Sequence, residues 1–168
     1  MMALGELRRS DRAMSEQDSV ALLQRALVGR IGTVDADGTP YVVPLNFAYG
    51  DQGRRIHLHL AKQSGHLASN LGSSSKVCFE VDEPGPLVAT GDDGCNTDQV
   101  YESAVCFGRA AVVSDEREKE RIARLFIRKY VDEHMPGRSY DPGLVRLGAV
   151  DFVTVEVGVV TGKRSPAP

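Results

Sequence analysis

A chain of 168 residues, 42% hydrophobic and 26% charged, has the length and make-up of one ordinary globular domain able to bury a core. Its formal net charge of −3 gives no global field for nucleic acid. No apolar run approaches the roughly 20 residues of a membrane-spanning helix, and "MMALGELRRSDRAMSEQ" has no apolar signal-peptide segment, so the expected setting is cytoplasmic. Residues 1–14 are mixed and charged and read as a flexible arm. A single domain over 15–163 follows, with a short tail at 164–168. Ser15 or Asp18 can cap a helix through "DSVALLQRALVG", where Val20, Leu23 and Leu27 recur at helical spacing and Gly29 supplies the stop.

Next, "GRIGTVDADGTPYVVPLNFAYGDQGRRIHLHLA" reads as three β-rich segments separated by "DADG" and "GDQG". Both are turn chemistries that tolerate positive φ, so an antiparallel meander is expected. "SGHLASNLGSS" reads as a short helix that Ser64 can cap, and "KVCFEVDE" as a fourth strand. "PGPLVATGDDGCNT" lacks periodicity and reads as a loop long enough for a functional or interface role. "QVYESAVCFGRAAVVSD" resumes strand character, with a bend or bulge at Gly108. Asp115 opens a second long helix that carries Ile122, Leu125, Phe126 and Lys129 on one face. The alternating "VDFVTVEVGVVTGK" closes the chain. Helical segments are too few to cross over between parallel strands, so the fold expected is mainly β with appended helices, an antiparallel barrel.

Several stretches carry possible chemistry. In "HLHLAKQSGHLASN", His57 and His59 share a strand face as two metal ligands would, but no third ligand of suitable spacing follows, and no metal is assigned. The same stretch reads alternatively as an exposed polar face, or as an anion cradle. In the cradle reading a strand ending at Lys62 turns through Ser64 and Gly65 into a helix whose backbone N–H groups, with His66, converge on one point. In "VPLNF", Pro44 suggests a strand edge, and the Asn46 amide offers the donor and acceptor that a heterocyclic imide edge requires. Tyr101 can flank an aromatic ligand or sit in a core or interface. Glu80 and Arg109 read as a cross-strand ion pair. Cys78, Cys95 and Cys106 are odd in number without C-x-x-C spacing and read as free thiols. There is no G-x-S-x-G, Walker loop or G-x-G-x-x-G.

In order and spacing, "VGRIGTVDADGTPYVVPLNFAY", "IHLHLAKQSGHLASNL", "KVCFEVDE" and "YESAVCFGRAAVVSD" resemble the pyridoxamine 5'-phosphate oxidase superfamily. More narrowly they resemble its nitroimidazole-reductase-like, flavin-nucleotide-binding branch. The resemblance implies a split β-barrel of the FMN-binding type, and a homodimer whose cofactor sites draw on both chains. It also implies an FMN-dependent oxidoreductase acting on a small molecule such as a nitroaromatic, with no nucleic-acid or membrane partner.

By position, the resemblance implies that Lys62, Ser64, Gly65 and His66 hold the FMN phosphate. Pro44, Leu45 and Asn46 would lie along the isoalloxazine, with Thr33 and Val34 near the ring; Tyr101 is counted with the cofactor-binding residues on its own chemistry, as the aromatic expected to flank it. His59 matches the histidine of the branch's "F-H-S-A" pattern and is the expected catalytic residue, donating a proton or a hydrogen bond to substrate. Here the pattern reads "L-H-L-A", so Leu60 replaces a serine, and Leu67 follows His66 where a basic residue is common. Fewer phosphate donors are therefore expected. The rival readings are a haem protein with His59 or His66 as axial ligand, a flavin store or sensor without turnover, and an enzyme using the deazaflavin F420.

Overall fold

The computed structural model describes residues 3–50, 53–62, 65–89, 97–140 and 149–165. Among the residues read as an arm, Ser10–Arg12 form a 3-10 turn, and Ala13–Met14 (β1) pair with the last strand, burying Met14. Helix α1 (Glu16–Arg25) starts where Ser15 accepts the Asp18 N–H at 3.0 Å, and it buries Leu22 and Leu23. It ends at Ala26, short of Gly29. Gly29 instead belongs to β2 (Val28–Val34), where a Cβ would stand 2.2 Å from Cζ of Phe79. The glycine makes room for a core ring rather than stopping a helix.

The meander is present as β2, β3 (Pro40–Tyr49) and β4 (Arg55–Ala61). Strand β3 pairs with β2 over 40–46 and with β4 over 47–49 only. Pro44 therefore sits where one edge of β3 carries no strand among the described residues, a place that tolerates its missing N–H. Helix α2 (His66–Ser73) begins at Gly65; the expected cap, Ser64, lies outside the described residues.

Strand β5 (Lys76–Ala89) pairs with β2 and with β6 (Thr97–Val112). Much of the expected loop is thus strand. Pro84 and Gly85 are absorbed at a register irregularity between Pro84 and Leu87 rather than ending the pairing. Strand β7 (Val150–Arg164) shifts register against β6 between Phe107 and Gly108, and a Cβ on Gly108 would stand 2.3 Å from the Glu156 carbonyl oxygen. That is the bulge expected there. The sheet order β1-β7-β4-β3-β2-β5-β6, with β6 also paired to β7, closes a barrel. Its core contains Ile31, Phe47, Ile56, Leu58, Phe79, Val81 and Val155.

Helix α3 (Glu116–Phe126), capped by the Asp115 side chain, runs into a π-helical turn over Ile127–Asp132. Ile122, Leu125 and Lys129 are buried as the periodicity predicts. The expected Glu80–Arg109 pair does not form, because β5–β6 register sets Glu80 opposite Val105 and Arg109 opposite Lys76. Glu80 pairs with Arg30 at 3.5 Å instead, and Arg109 donates to Ser75 Oγ. Cys78 and Cys106 are free, burial pushing the Cys106 thiol up to about 12, while Cys95 lies outside the described residues. No helix among the described residues is long and apolar enough to cross a membrane.

Candidate functional site

Two groups of polar side chains lie along β3. The first surrounds the start of α2. Gly65 takes φ 97°, a left-handed conformation natural to glycine, and a Cβ there would meet nothing within 4 Å. Among the described residues no side chain caps the helix, and its first N–H groups carry partial positive charge. Lys62 and His66, both exposed, stand on either side of this turn in sequence. Asn70 Nδ2 donates to Thr33 Oγ1 at 3.0 Å, and the rings of His66 and Tyr41 lie 5.5 Å apart, so α2 is held against the β2–β3 hairpin. Thr33 is buried and spends its hydroxyl on this tether, leaving exposed Val34 as the β2 residue open to a ligand. The donor set of a cation, an imidazole and an uncapped helix start suits a phosphate ester. Leu67 is buried and Leu60 packs against the core; both departures from the family pattern serve the barrel rather than the anion.

The second group lies where β3 changes partner. Phe47 pairs with Leu58 as the last rung between β3 and β4, and beyond it the strands part. Asn46 and His59, both open to solvent although Phe126 covers one side of the imidazole, stand on the two lips of this opening. The turn after α3 fills its inner side. Phe126 meets the His59 ring edge-on at 4.8 Å and stacks on Tyr130 at 5.8 Å. Tyr130 Oη accepts the Phe47 N–H at 2.9 Å and lies 2.6 Å from the Leu27 carbonyl oxygen. Asn46 Nδ2 donates to that same oxygen at 3.3 Å. Lys129 holds its ammonium 3.9 Å over the Phe47 ring, with no hydrogen-bond partner among the described residues.

Burial lowers the pKa of His59 below its ordinary 6.5, so the imidazole is neutral at neutral pH and offers a hydrogen bond rather than a ready cationic acid. Burial also lowers Lys129, to about 8, with Glu133 pulling the other way. Tyr130 is raised, chiefly by burial, against hydrogen bonds to the Phe47 backbone and the Asn46 side chain.

From Tyr41, beside the first group, to Asn46 is five residues along β3, about 17 Å of strand. An odd separation sets Tyr41 and Asn46 on opposite faces of the strand, so a ligand joining the two groups would cross the edge of β3. Leu45 packs inward against the core, while Pro44 faces out. Tyr101 is not brought to this group within the chain. Its register partner is Pro84, whereas Gly32 pairs with Cys78, which sets Tyr101 roughly 20 Å away along the sheet. There burial would raise its phenol, but hydrogen bonds from Lys163 and Arg12 outweigh it and lower the pKa. The two histidines that looked like a metal pair also part company. His57 is buried with Nδ1 2.9 Å from Thr154 Oγ1 and Nε2 3.3 Å from Arg121. Among the described residues no three His, Cys, Asp or Glu side chains converge as a metal site.

Sequence reasoning missed Tyr130 and Asn70 entirely. It placed Phe126 and Lys129 on the inward face of their helix, but nothing in a 3.6-residue period says which strands that face meets.

A family model described as pyridoxamine 5'-phosphate oxidase matches residues 15–164. Among solved structures, a candidate 5-nitroimidazole antibiotic resistance protein from Bacteroides thetaiotaomicron is similar at 26% identity and a TM-score of 0.73, over 90% of this chain and 86% of that one. A flavocytochrome from Azotobacter vinelandii is similar at 21% identity and a TM-score of 0.76, over 99% and 76% of the two chains. An FAD-binding protein from Mesorhizobium loti is similar at 23% and 0.65, over 92% and 98%. At the last two identities the likeness is one of fold. Among curated proteins no sequence matches.

Proposed function

The chain belongs to the pyridoxamine 5'-phosphate oxidase family, and on that premise we propose that it is a flavin-dependent oxidoreductase using FMN on a small-molecule substrate in the cytoplasm. The observation that carries the reading is the pairing of two groups along one edge of β3. An open, uncapped helix start with Lys62 and His66 lies at one end, and the Asn46 amide and His59 imidazole lie at the other. The first fits a terminal phosphate and the second a ring with an imide edge. Flavin-binding proteins among the fold neighbours support it, and a nitroaromatic substrate is suggested by the candidate 5-nitroimidazole resistance protein.

A second copy of the chain completes the site. Val34 and Val42 are 45% and 62% exposed beside an open groove of about 850 Å³ that Thr33, Cys78 and Phe107 also line. Apolar exposure of this kind next to a ligand site suits a homodimer interface. Tyr101, remote within one chain, then reaches the ligand from the partner.

Bound FMN would supply hydride or electron transfer to the substrate. Lys62, His66 and the first N–H groups of α2 bind and anchor the phosphate. The Asn46 amide orients the ring through its donor–acceptor edge. His59, neutral and braced by Phe126, hydrogen-bonds the substrate at the opening between β3 and β4. The apolar partner surface excludes water from the reacting face.

The test is the visible spectrum of freshly purified protein, with the mass of the extracted pigment and the uptake of FMN by stripped protein. A two-band flavin spectrum and the mass of FMN are expected. A Soret band, a deazaflavin mass, or failure to take up FMN overturns the proposal. Anaerobic photoreduction followed by mixing with a nitroimidazole or oxygen should reoxidise the protein; a reduced form that persists with both would make it a store rather than an enzyme.

A further inference from the structure

We propose that Tyr130 is a positioning residue for ligand recognition: its hydroxyl, set where β2 and β3 part, holds the Leu27 carbonyl that orients the Asn46 amide, so that the free edge of the amide meets an imide-bearing ring. The inference rests on the flavin reading and names how the ring would be gripped.

The geometry begins with the register. Val28 pairs with Asn46 as the last rung between β2 and β3, so the next rung would join Leu27 to Phe47. The strands diverge there, and the phenol of Tyr130 occupies the gap. Phe47 N–H donates to Tyr130 Oη at 2.9 Å, and Oη stands 2.6 Å from the Leu27 carbonyl oxygen and 2.8 Å from that of Phe47. A hydroxyl has one proton to give. The shorter contact assigns it to Leu27, so the chain from Phe47 N–H through Oη–H to the Leu27 carbonyl stands in for the missing rung. Phe126 fixes the angle of approach by stacking on the phenol with ring planes 18° apart.

Asn46 is tied to the same bridge. Its Nδ2 donates at 3.3 Å to the same Leu27 oxygen that Tyr130 Oη faces at 2.6 Å. A carbonyl acceptor in that place sets the amide's flip, since only the nitrogen side can face it. The exposed amide therefore keeps its oxygen for an incoming N–H. An exposed asparagine alone would sample several rotamers and both flips; here the Leu27 carbonyl, held by Tyr130, selects one. A preorganised pair of this kind strengthens binding mainly by removing the cost of ordering the side chain.

The experiment is a double-mutant cycle on flavin affinity, with the side-chain amide signals of Asn46 followed by NMR in cofactor-free protein. Tyr130→Phe keeps the ring on Phe126, and Asn46→Ala removes the amide. Each is expected to weaken FMN binding about tenfold, as the loss of one buried-edge hydrogen bond does. The double variant should be no weaker than the worse single, because Tyr130 acts through Asn46. Losses that multiply in a chain that binds FMN overturn the assignment and leave the flavin reading standing.

In cofactor-free protein, Tyr130→Phe should speed exchange of the Asn46 amide protons; unchanged exchange overturns the coupling whatever the chain binds. Asn46→Asp, which leaves Tyr130 and the barrel untouched, should bind FMN as poorly as Asn46→Ala, since a carboxylate cannot donate to Leu27. Binding equal to wild type overturns the proposal. A wild-type chain that takes up neither FMN nor FAD overturns the flavin reading itself, and the amide exchange then decides the coupling alone.

Discussion

Replacing Lys129 by methionine should make the protein more stable at neutral pH. The side chain is 7% exposed, and its ammonium has no hydrogen-bond partner. Burial brings its pKa from 10.5 down to about 8. A difference of that size corresponds to roughly 3 kcal/mol held against the folded state when the amine is charged. The Phe47 ring, 3.9 Å beneath the nitrogen, attracts the cation by up to about 2 kcal/mol when both are desolvated. The net cost therefore lies at about 1–3 kcal/mol. The sign follows from which state binds the proton. Between the folded and unfolded pKa values the unfolded chain holds a proton that the folded one does not, so stability rises with pH across that window. Below about 8 the amine is charged in both states and the penalty is complete. Urea denaturation of wild type and Lys129→Met at several pH values from 7 to 10.5 isolates this residue, since all other titrations cancel in the difference. The variant's advantage should be largest at pH 7 and shrink steadily above 8. A difference that stays constant across the range, or a variant less stable at pH 7, refutes the reasoning.

Four further outcomes test the rest. Lys62→Ala should weaken FMN retention by roughly three- to tenfold through loss of one charge-assisted contact; unchanged occupancy after dialysis argues against the phosphate assignment. Burial against Phe126 should hold the NMR titration midpoint of His59 below 6.5, and Phe126→Ala should bring it back up; a midpoint at or above the ordinary value contradicts the neutral role. Light scattering should find wild type at dimer mass, as proposed, and Val42→Lys at monomer mass with lower FMN affinity, whereas a dimer that persists places the interface elsewhere. Gly29→Ala should cost about 1–3 kcal/mol by pushing into the Phe79 ring; denaturation equal to wild type would show that the ring moves aside freely.

The barrel was legible because its signals are local. Turn residues at 35–39 and alternation in β7 act within a few positions, and a bulge glycine announces itself by breaking an apolar run. The Gly29 and Pro84–Ala89 errors share one cause. A local reading treats glycine and proline as punctuation, yet Gly29 is small because Phe79, fifty residues on, needs the space. Pro84 and Gly85 are likewise tolerated because β5 and β6 pair on both sides of them. Neither fact is visible without the long-range register.

The candidate site divides the same way. Lys62, Gly65 and His66 are neighbours in sequence around a helix start, so a cradle there could be proposed from local signals. The Asn46–His59 opening could not, since it depends on β3 changing partner after Asn46, and no property of "VPLNF" specifies that. What marks the place is the turn after α3, sixty residues beyond β4. A helix of ordinary pitch points Phe126 and Tyr130, four apart, in nearly the same direction. Lys129, on the same face, reaches Phe47 from within a π-helical turn, and π turns recur at functional positions. Three side chains thus meet the two strands at one parting. Tyr130 supplies hydrogen bonds that an unbroken sheet would have made for itself, while Lys129 adds a charge the fold must bear. A barrel under selection for stability alone would close the gap with a strand rung and an apolar residue. Keeping a phenol and an unpaired ammonium there is consistent with an opening maintained for a ligand.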